Sequence, residues 1–218
     1  MSTIVIFARA PVAGEVKTRL AKALGEERAL ALYEAFLDDA CQLTAGLGAR
    51  RVLAVAGDID HPSLQRLAKS QRLELVPQGE GDLGARLERA ITRELARGPV
   101  VVIGSDAPTL PRAELHRALD ALIDHDVVIG PARDGGYWLI GASVPVPDLF
   151  SDIHWSTAEV LPRTLARLGE RSHALLRQHY DVDTGEDVEH LQEELAGLDV
   201  TVAPATRRAL AAVLRSPT

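Results

Sequence analysis

Three features of the sequence predict an α/β fold with a mostly parallel sheet and one antiparallel strand. Short apolar runs alternate with stretches of helical periodicity along the chain. One run, Val100-Val101-Val102-Ile103, is β-branched at every position and bounded by Gly98-Pro99 and Gly104, as a strand buried on both faces should be. Two later runs are joined by a glycine-bearing link short enough for a hairpin, which places one strand against the prevailing direction.

Taken in order, Thr3 to Ala8 reads as the first strand and Arg9 to Arg19 as the loop that follows it. A long helix comes next, in which Leu30, Tyr33, Phe36, Leu37, Ala40 and Cys41 recur at helical steps and form one apolar stripe. Cys41 lies on that stripe and is expected to be packing rather than a reactive thiol. Arg51 to Ala56 is the second strand, Ser63 to Lys69 a short helix and Leu73 to Val76 the third strand. From Gly84 a helix carries Leu87, Ile91 and Leu95 on one side, and it leads into the run at Val100. Leu115, Leu119, Leu122 and Ile123 mark the following helix. Val127 to Gly130 and Tyr137 to Ile140 then form the two strands linked by Pro131 to Gly136.

Ser156 with Glu159 fits a capping box and Trp155 with Val160 a hydrophobic staple, so Trp155 has a purely structural reading. A last β-like piece around Tyr180 to Asp183 precedes a second capping-box pattern, Thr184 to Asp187. The helix after it carries Val188, Leu191, Leu195 and Leu198 on one face. The C-terminal Ala/Arg/Leu-rich segment reads as a peripheral helix. No internal repeat, low-complexity run or linker divides the chain, so residues 1–218 are expected to form one domain.

Composition narrows the function. A length of 218 residues, 46% hydrophobic and 25% charged residues describe an ordinary globular chain, and a formal net charge of −7 argues against a general nucleic-acid binder. The single cysteine excludes an internal disulfide or a multi-cysteine metal site. No signal-peptide pattern precedes Ile4-Val5-Ile6-Phe7, and no apolar stretch is long enough to span a bilayer, so a cytoplasmic location is expected.

Chemistry should gather at Asp106. The buried run at Val100 ends in Gly104-Ser105-Asp106, with Pro108 and Pro111 stiffening the exit, and ligands of open α/β sheets bind outside the carboxyl ends of strands. An acid on a rigid loop suits a metal; capping of the next helix is the equal alternative. Two loops compete to bind phosphate. In Gly14 to Arg19, Gly14-x-x-Lys17-Thr18 is not a P-loop, because Val16 and Pro11 stand where its glycines belong. Arg9, Lys17 and Arg19 nevertheless gather three cations on one turn, either to neutralise a polyphosphate or simply as a solvated loop. The second loop, Gly79-Glu80-Gly81-Asp82-Leu83-Gly84, spells the dinucleotide fingerprint, with an acid roughly 20 residues on. It follows the third strand rather than the first, and Asp82 would repel a pyrophosphate. An NAD(P)-dependent oxidoreductase is thus the competing enzyme class, and a non-catalytic nucleotide-binding protein the non-enzymatic one.

Four segments together carry a resemblance: Ile6-Phe7-Ala8-Arg9-Ala10-Pro11 with Gly14, Lys17, Thr18, Arg19 and Leu20; Gly81-Asp82-Leu83-Gly84 with Arg86 and Leu87; Gly104-Ser105-Asp106 with Pro108; and Asp134-Gly135-Gly136-Tyr137. They resemble the DUF2064 family of GT-A-type transferases, often labelled as radical-SAM/selenodomain-associated or arsenosugar-pathway glycosyltransferases. More distantly, Lys17 to Leu20 with Glu26-Glu27-Arg28-Ala29 is similar to 2-phospholactate and molybdenum-cofactor guanylyltransferases. The resemblance implies a three-layer α/β/α nucleotide-diphospho-sugar transferase (GT-A, Rossmann-like) fold. Its nucleotide side would extend to about residue 110 and its acceptor side would cover 111–218.

The resemblance further implies that Gly14, Lys17, Thr18 and Arg19 wrap the phosphates, that Asp106 binds Mg²⁺ or Mn²⁺, and that Asp183 completes the metal site, with Asp181 its rival. Mg²⁺ needs only one or two protein carboxylates besides water and phosphate oxygens. Arg9, Ser105, Gly81, Asp82, Gly84 and Arg86 are expected on the nucleotide side. Asp134, Gly135, Gly136 and Tyr137 should face the acceptor, with Asp134 as hydrogen-bond partner or general base, although a simple turn explains the same pattern. Lys17, Asp106 and Asp134 are the expected catalytic residues; His154 is a weaker acceptor-site candidate. The expected partners are a nucleotide or nucleotide-sugar donor and a small-molecule acceptor. Nucleotidyl transfer and glycosyl transfer remain open alternatives.

Overall fold

The computed structural model describes residues 1–213. The first half runs β1 (Thr3–Arg9), α1 (Thr18–Leu24), α2 (Glu26–Leu43), β2 (Arg50–Ala56), α3 (Pro62–Gln71), β3 (Glu74–Pro77), α4 (Leu83–Leu95) and β4 (Val100–Ile103). The second half runs α5 (Arg112–Asp124), β5 (Val127–Pro131), β6 (Tyr137–Ala142), α6 (Val160–Arg167), β7 (His173–Leu175), α7 (Gly185–Gly197) and α8 (Pro204–Val213). Among the described residues no helix is long and apolar enough to cross a membrane.

Seven strands form one sheet in the order β3-β2-β1-β4-β6-β5-β7. All neighbours are parallel except β6, which runs antiparallel to both β4 and β5. The period-two alternation of side chains sorts the central strands onto two faces. Ile4, Ile6, Leu53, Val55, Val101 and Ile103 pack under Leu37 and Cys41 of α2, Leu64 of α3 and Leu115 and Leu122 of α5. Val5, Val52, Val100 and Val102 face the opposite way, onto Leu87 and Ile91 of α4 and onto Leu149 and Phe150. This is the three-layer α/β/α arrangement, and β4 is no more than 3% exposed at any position because helices cover both its faces. Each fully buried aliphatic side chain contributes roughly 1.5–3 kcal/mol of transfer free energy.

Several elements depart from the sequence reading. The loop expected through Arg19 turns helical at Thr18, and Gly25 at φ +87° separates that short α1 from α2. The capping box at Ser156 does not form: α6 starts only at Val160, with Glu159 as its N-cap and no side-chain cap, so Glu159 precedes the first turn instead of standing three residues into it. Tyr180 to Asp183 is extended chain rather than a strand, while the last strand is the three-residue β7 upstream. Ile123 is 79% exposed, because α5 presents Leu115, Ala118 and Leu122 to the sheet instead. Leu198 lies just past α7 and is 37% exposed.

The C-terminal helix is not peripheral. Leu210 and Val213 of α8 pack with Leu32 and Phe36 of α2 and Leu191 of α7. The buried Asp39 carboxylate accepts from the Ala205 and Thr206 amides at its first turn (2.9 and 2.7 Å), two donors that the helix cannot satisfy itself. The rest of that segment, 214–218, lies outside the described residues.

Candidate active site

The strand order reverses between β1 and β4, since the chain steps outward from β1 through β2 to β3 and then returns to the other side of β1. Loops leaving two such strands diverge and open a crevice at their carboxyl ends. A cavity of about 640 Å³ lies there. It is lined by the tip of β1, the loop that follows it, Ser105 and Asp106 after β4, the start of α4, Trp155 and Asp183.

The loop after β1 is fixed from several sides. The Arg9 amide donates to the Tyr33 hydroxyl (2.7 Å), which donates in turn to the Arg9 carbonyl (2.9 Å), so α2 clamps the end of the strand. Gly14 at φ +78° makes the turn, and a Cβ there would lie 3.3 Å from the Glu26 carboxylate. Val16 is buried, and Lys17 then takes a left-handed conformation, φ 48°, as the N-cap of α1. A non-glycine residue held there stores on the order of 1–3 kcal/mol of strain. The consequence is positional: the Lys17 side chain turns inward and is only 4% exposed.

Inside, the Lys17 ammonium bridges two acids. Its Nζ lies 2.9 Å from Asp106 Oδ2 and 2.7 Å from Asp183 Oδ1. Ser105 donates its hydroxyl to Asp106 Oδ1 (3.0 Å), and Arg19 pairs with Asp183 Oδ2. The distant Asp183 reaches this point because the Val182 amide donates to the Asp106 carbonyl (2.9 Å), tying the chain before α7 to the loop after β4. Behind it, Thr184 and Asp187 form the second predicted capping box, and Asp187 also accepts from the Asp183 amide (3.0 Å). Burial by itself depresses the Lys17 pKa, but the Asp106 and Asp183 carboxylates reverse this and leave it raised. Asp181 belongs to the same cluster: burial first, and then the like charge of Asp106, push its carboxyl up to about 7.

Asp106 does not cap α5, whose N-cap is Pro111. Asp106 and Asp183 are the acids that could share a cation, since both touch one nitrogen. Among the described residues no group of three or more His, Cys, Asp or Glu side chains forms a metal cage.

The other expected nucleotide-side residues divide. Arg9, Thr18, Arg19, Gly81, Asp82, Arg86 and Ser105 line the cavity, whereas Gly14 and Gly84 do not. Asp82 is the N-cap of α4 and accepts from the Ala85 amide (2.9 Å). Gly84 is required by packing, for a Cβ would come within 2.9 Å of the Phe150 carbonyl and 3.0 Å of the Trp155 ring. The fingerprint loop follows the edge strand β3 rather than a strand at the reversal point, yet its later residues, Gly81 to Leu83, reach the cavity there.

A second cavity of about 510 Å³ shares Arg19 and Asp183 with the first and is also lined by Arg133, Asp134, Tyr180, Asp181 and His190. The Arg133 guanidinium stacks 5.0 Å from the centre of the Tyr180 ring, whose hydroxyl donates to Glu194 (2.6 Å). Asp134 lines this cavity, and its Oδ1 also accepts from the Gly136 amide (2.9 Å), the turn contact expected from sequence. Gly135, Gly136 and Tyr137 line neither cavity. Gly135 abuts Ala158, and Tyr137 packs edge-on to Trp155 at 6.4 Å between centroids. His154 lies outside both cavities, 3.7 Å from Glu159.

Sequence reasoning missed Tyr33 and Gln78 as cavity residues and read Trp155 as structural alone. Tyr33 was hidden in the apolar stripe of α2. Gln78, whose amide donates to the Ala8 and Ala54 carbonyls (both 3.0 Å), carries no local pattern.

Comparison with known proteins finds relatives for this chain. The family model described as "Uncharacterized protein conserved in bacteria (DUF2064)" matches residues 38–157. A 3-phospho-D-glycerate guanylyltransferase from Phenylobacterium zucineum is 32% identical over 137 residues, 60% of this chain and 62% of that protein. A 2-phospho-L-lactate guanylyltransferase from Methanothermobacter thermautotrophicus is 35% identical over 127 residues, 55% of this chain and 53% of its own. The chain thus matches less than two thirds of the length of either relative. A solved structure from Desulfovibrio desulfuricans G20, described as a nucleotide-diphospho-sugar transferase, superposes with a TM-score of 0.87 at 31% identity, covering 98% of this chain and 96% of that one.

Proposed function

The chain belongs to the DUF2064 family, and from the guanylyltransferase relatives and the cradle at the sheet reversal we propose that it is a nucleotidyltransferase. In this reading it transfers a nucleoside monophosphate from a nucleoside triphosphate to a small phosphorylated acceptor. The observation that carries the reading is Lys17, buried between Asp106 and Asp183 on the wall of a cavity that Arg9, Arg19 and Arg86 also line. Both matched relatives are named as guanylyltransferases of phosphorylated acids, which supports a purine nucleotide donor and an acceptor that brings its own phosphate.

Donor phosphates in the first cavity would accept hydrogen bonds from Lys17 and Arg19. The acceptor would enter the second cavity, where Asp134 offers a carboxylate to its hydroxyl groups and Arg133, held over the Tyr180 ring, offers N–H donors to an anionic group. An acceptor phosphate oxygen then attacks the α-phosphorus of the donor. The bond from that phosphorus to the bridging oxygen breaks, and pyrophosphate leaves with the electron pair. An acceptor phosphate is already anionic, so no side chain has to remove a proton. Lys17 and Arg19 stabilise the charge that grows on the leaving group, and donors fixed in advance cost little reorganisation.

The donor set fits a hard divalent cation. Two carboxylates directed at one point suit Mg²⁺ or Mn²⁺, which take their remaining ligands from water and phosphate. Held by Asp106 and Asp183, such an ion would supply Lewis-acid charge to the phosphates.

Glycosyl transfer is the second reading, favoured by the description of the Desulfovibrio protein, which aligns with nearly the whole chain. Thermal-shift measurements with each of the four nucleoside triphosphates and the common nucleotide sugars, with Mg²⁺ or Mn²⁺ present, separate the two. Ligand at 100 times its Kd stabilises a protein by about 2.7 kcal/mol. A shift with triphosphates alone supports nucleotidyl transfer, and a shift with nucleotide sugars alone replaces it with glycosyl transfer. A metal-free shift with NAD(H) alone would reject both.

A further inference from the structure

Every carboxylate oxygen of the proposed metal pair already has a partner from the chain itself. Asp106 Oδ1 accepts from Ser105 and Oδ2 pairs with Lys17; Asp183 Oδ1 pairs with Lys17 and Oδ2 with Arg19. The two cations that do this differ in freedom. Lys17 is 4% exposed at the side chain, on a backbone strained at φ 48°, whereas Arg19 is 66% exposed. Both line the first cavity, within reach of any anion that enters it. The acids are themselves about a third exposed (35% and 32%) and each oxygen keeps a second lone pair, so the obstacle is the buried ammonium. A divalent ion arriving alone must either sit against that charge or displace it and leave it desolvated and unpaired. Displacement is the expensive way to break a buried ion pair.

We infer that Lys17 is an internal counter-ion that keeps Asp106 and Asp183 closed to divalent cations until a polyphosphate in the first cavity draws the ammonium away. The metal is then seated together with the nucleotide rather than before it. The inference rests on the proposed function for the identity of the anion, and it adds an order of assembly and a residue that sets it. Phosphate oxygens give Lys17 and Arg19 new partners and free the carboxylates in the same step. Linkage makes the effect reciprocal, so metal and nucleotide tighten each other's binding by one common factor. If the open arrangement is populated at one part in ten to one in a hundred, apparent metal affinity falls by about ten- to a hundred-fold.

Free Mn²⁺ measured by electron paramagnetic resonance, in titrations of the full chain without nucleotide, tests this. Lys17→Met should bind Mn²⁺ at least about tenfold more tightly than wild type. Adding Asp106→Asn to that variant should abolish the gain. Circular dichroism checks that each variant is folded. If Lys17→Met is not, wild type decides: its Mn²⁺ affinity, after allowance for Mn²⁺ bound to GTP in solution, should rise at least about tenfold on adding GTP. Tight Mn²⁺ binding by wild type alone, equal to that of Lys17→Met or unchanged by GTP, overturns the counter-ion role and leaves the metal site standing. Absence of Mn²⁺ binding in every protein, GTP included, overturns the metal site as well.

Discussion

Asp106 is where the two loops of the crevice meet. It receives Ser105 and Lys17 on its side chain and Val182 on its carbonyl, so one residue ties the phosphate loop, β4 and the chain before α7 together. Replacing it by Asn preserves the shape and removes the charge; we expect turnover to fall by about 10²–10³-fold, the usual cost of losing one preorganised electrostatic contact. Near-native melting of Asp106→Asn with unchanged turnover would contradict that role. Tyr33 acts one step removed, through the two hydrogen bonds of its hydroxyl to the Arg9 backbone. Tyr33→Phe leaves the Arg9 amide without that acceptor and should cost about 1–3 kcal/mol. Because the clamp ends at the mouth of the cavity, KM for the nucleotide should rise more than kcat falls, and steady-state kinetics on the variant will separate the two. Cys41 is wholly buried, and burial pushes its thiol up to about 12, so the thiolate is scarce at neutral pH. A thiol reagent should label it only as the protein unfolds, in step with the loss of circular dichroism.

At the scale of elements, the site depends on how α7 and α4 begin. The capping box of Thr184 and Asp187 starts α7 and holds the Asp183 amide at the same time. Thr184→Ala should therefore cost about 1 kcal/mol of stability, as the loss of an N-cap does. It should also weaken nucleotide binding, whereas a purely structural cap would change only the melting temperature. Gly84 lets α4 approach Trp155 and Phe150. Gly84→Ala should displace Trp155 and alter its emission, because the only other tryptophan, Trp138, is 3% exposed and packed in the core on the other face of the sheet.

The same elements show what local sequence can carry. Thr184 to Asp187 was legible because a capping box is made entirely of residues within one turn. Ser156 and Glu159 matched that pattern equally well and failed: α6 starts only at Val160 and Glu159 pairs with Arg163 instead, in a chain that packs Trp155 toward α4, which the four residues themselves do not encode. β7 went unread because His173–Leu175 is too short to show a period. Tyr180 to Asp183 looked like a strand because it alternates, yet it joins no strand ladder among the described residues and its Val182 amide bonds Asp106, past the end of β4.

For the molecule as a whole, the fold was legible wherever burial on both faces leaves unbroken apolar runs, as in β1, β2 and β4. The strand order was not, since which strands become neighbours depends on crossovers that span the chain. The same holds for the site. Asp106 and Lys17 were legible from the residues and Asp183 through resemblance to a family, but that a single nitrogen would bridge both acids follows only from the reversal of strand order between β1 and β4. The dinucleotide-like Gly79 to Gly84 loop follows the edge strand β3 rather than β1 or β4, and its later residues, Gly81 to Leu83, line the crevice from that side.

The most direct test is a crystal structure of the chain with Mn²⁺ and a non-hydrolysable GTP analogue, with anomalous scattering collected at the manganese edge. The expected result is one anomalous peak shared by Asp106 and Asp183, triphosphate in the cavity at the ends of β1 and β4, and Lys17 moved from the carboxylates onto phosphate oxygen. A nucleotide bound elsewhere, or a manganese peak remote from both acids, would contradict the shared cradle.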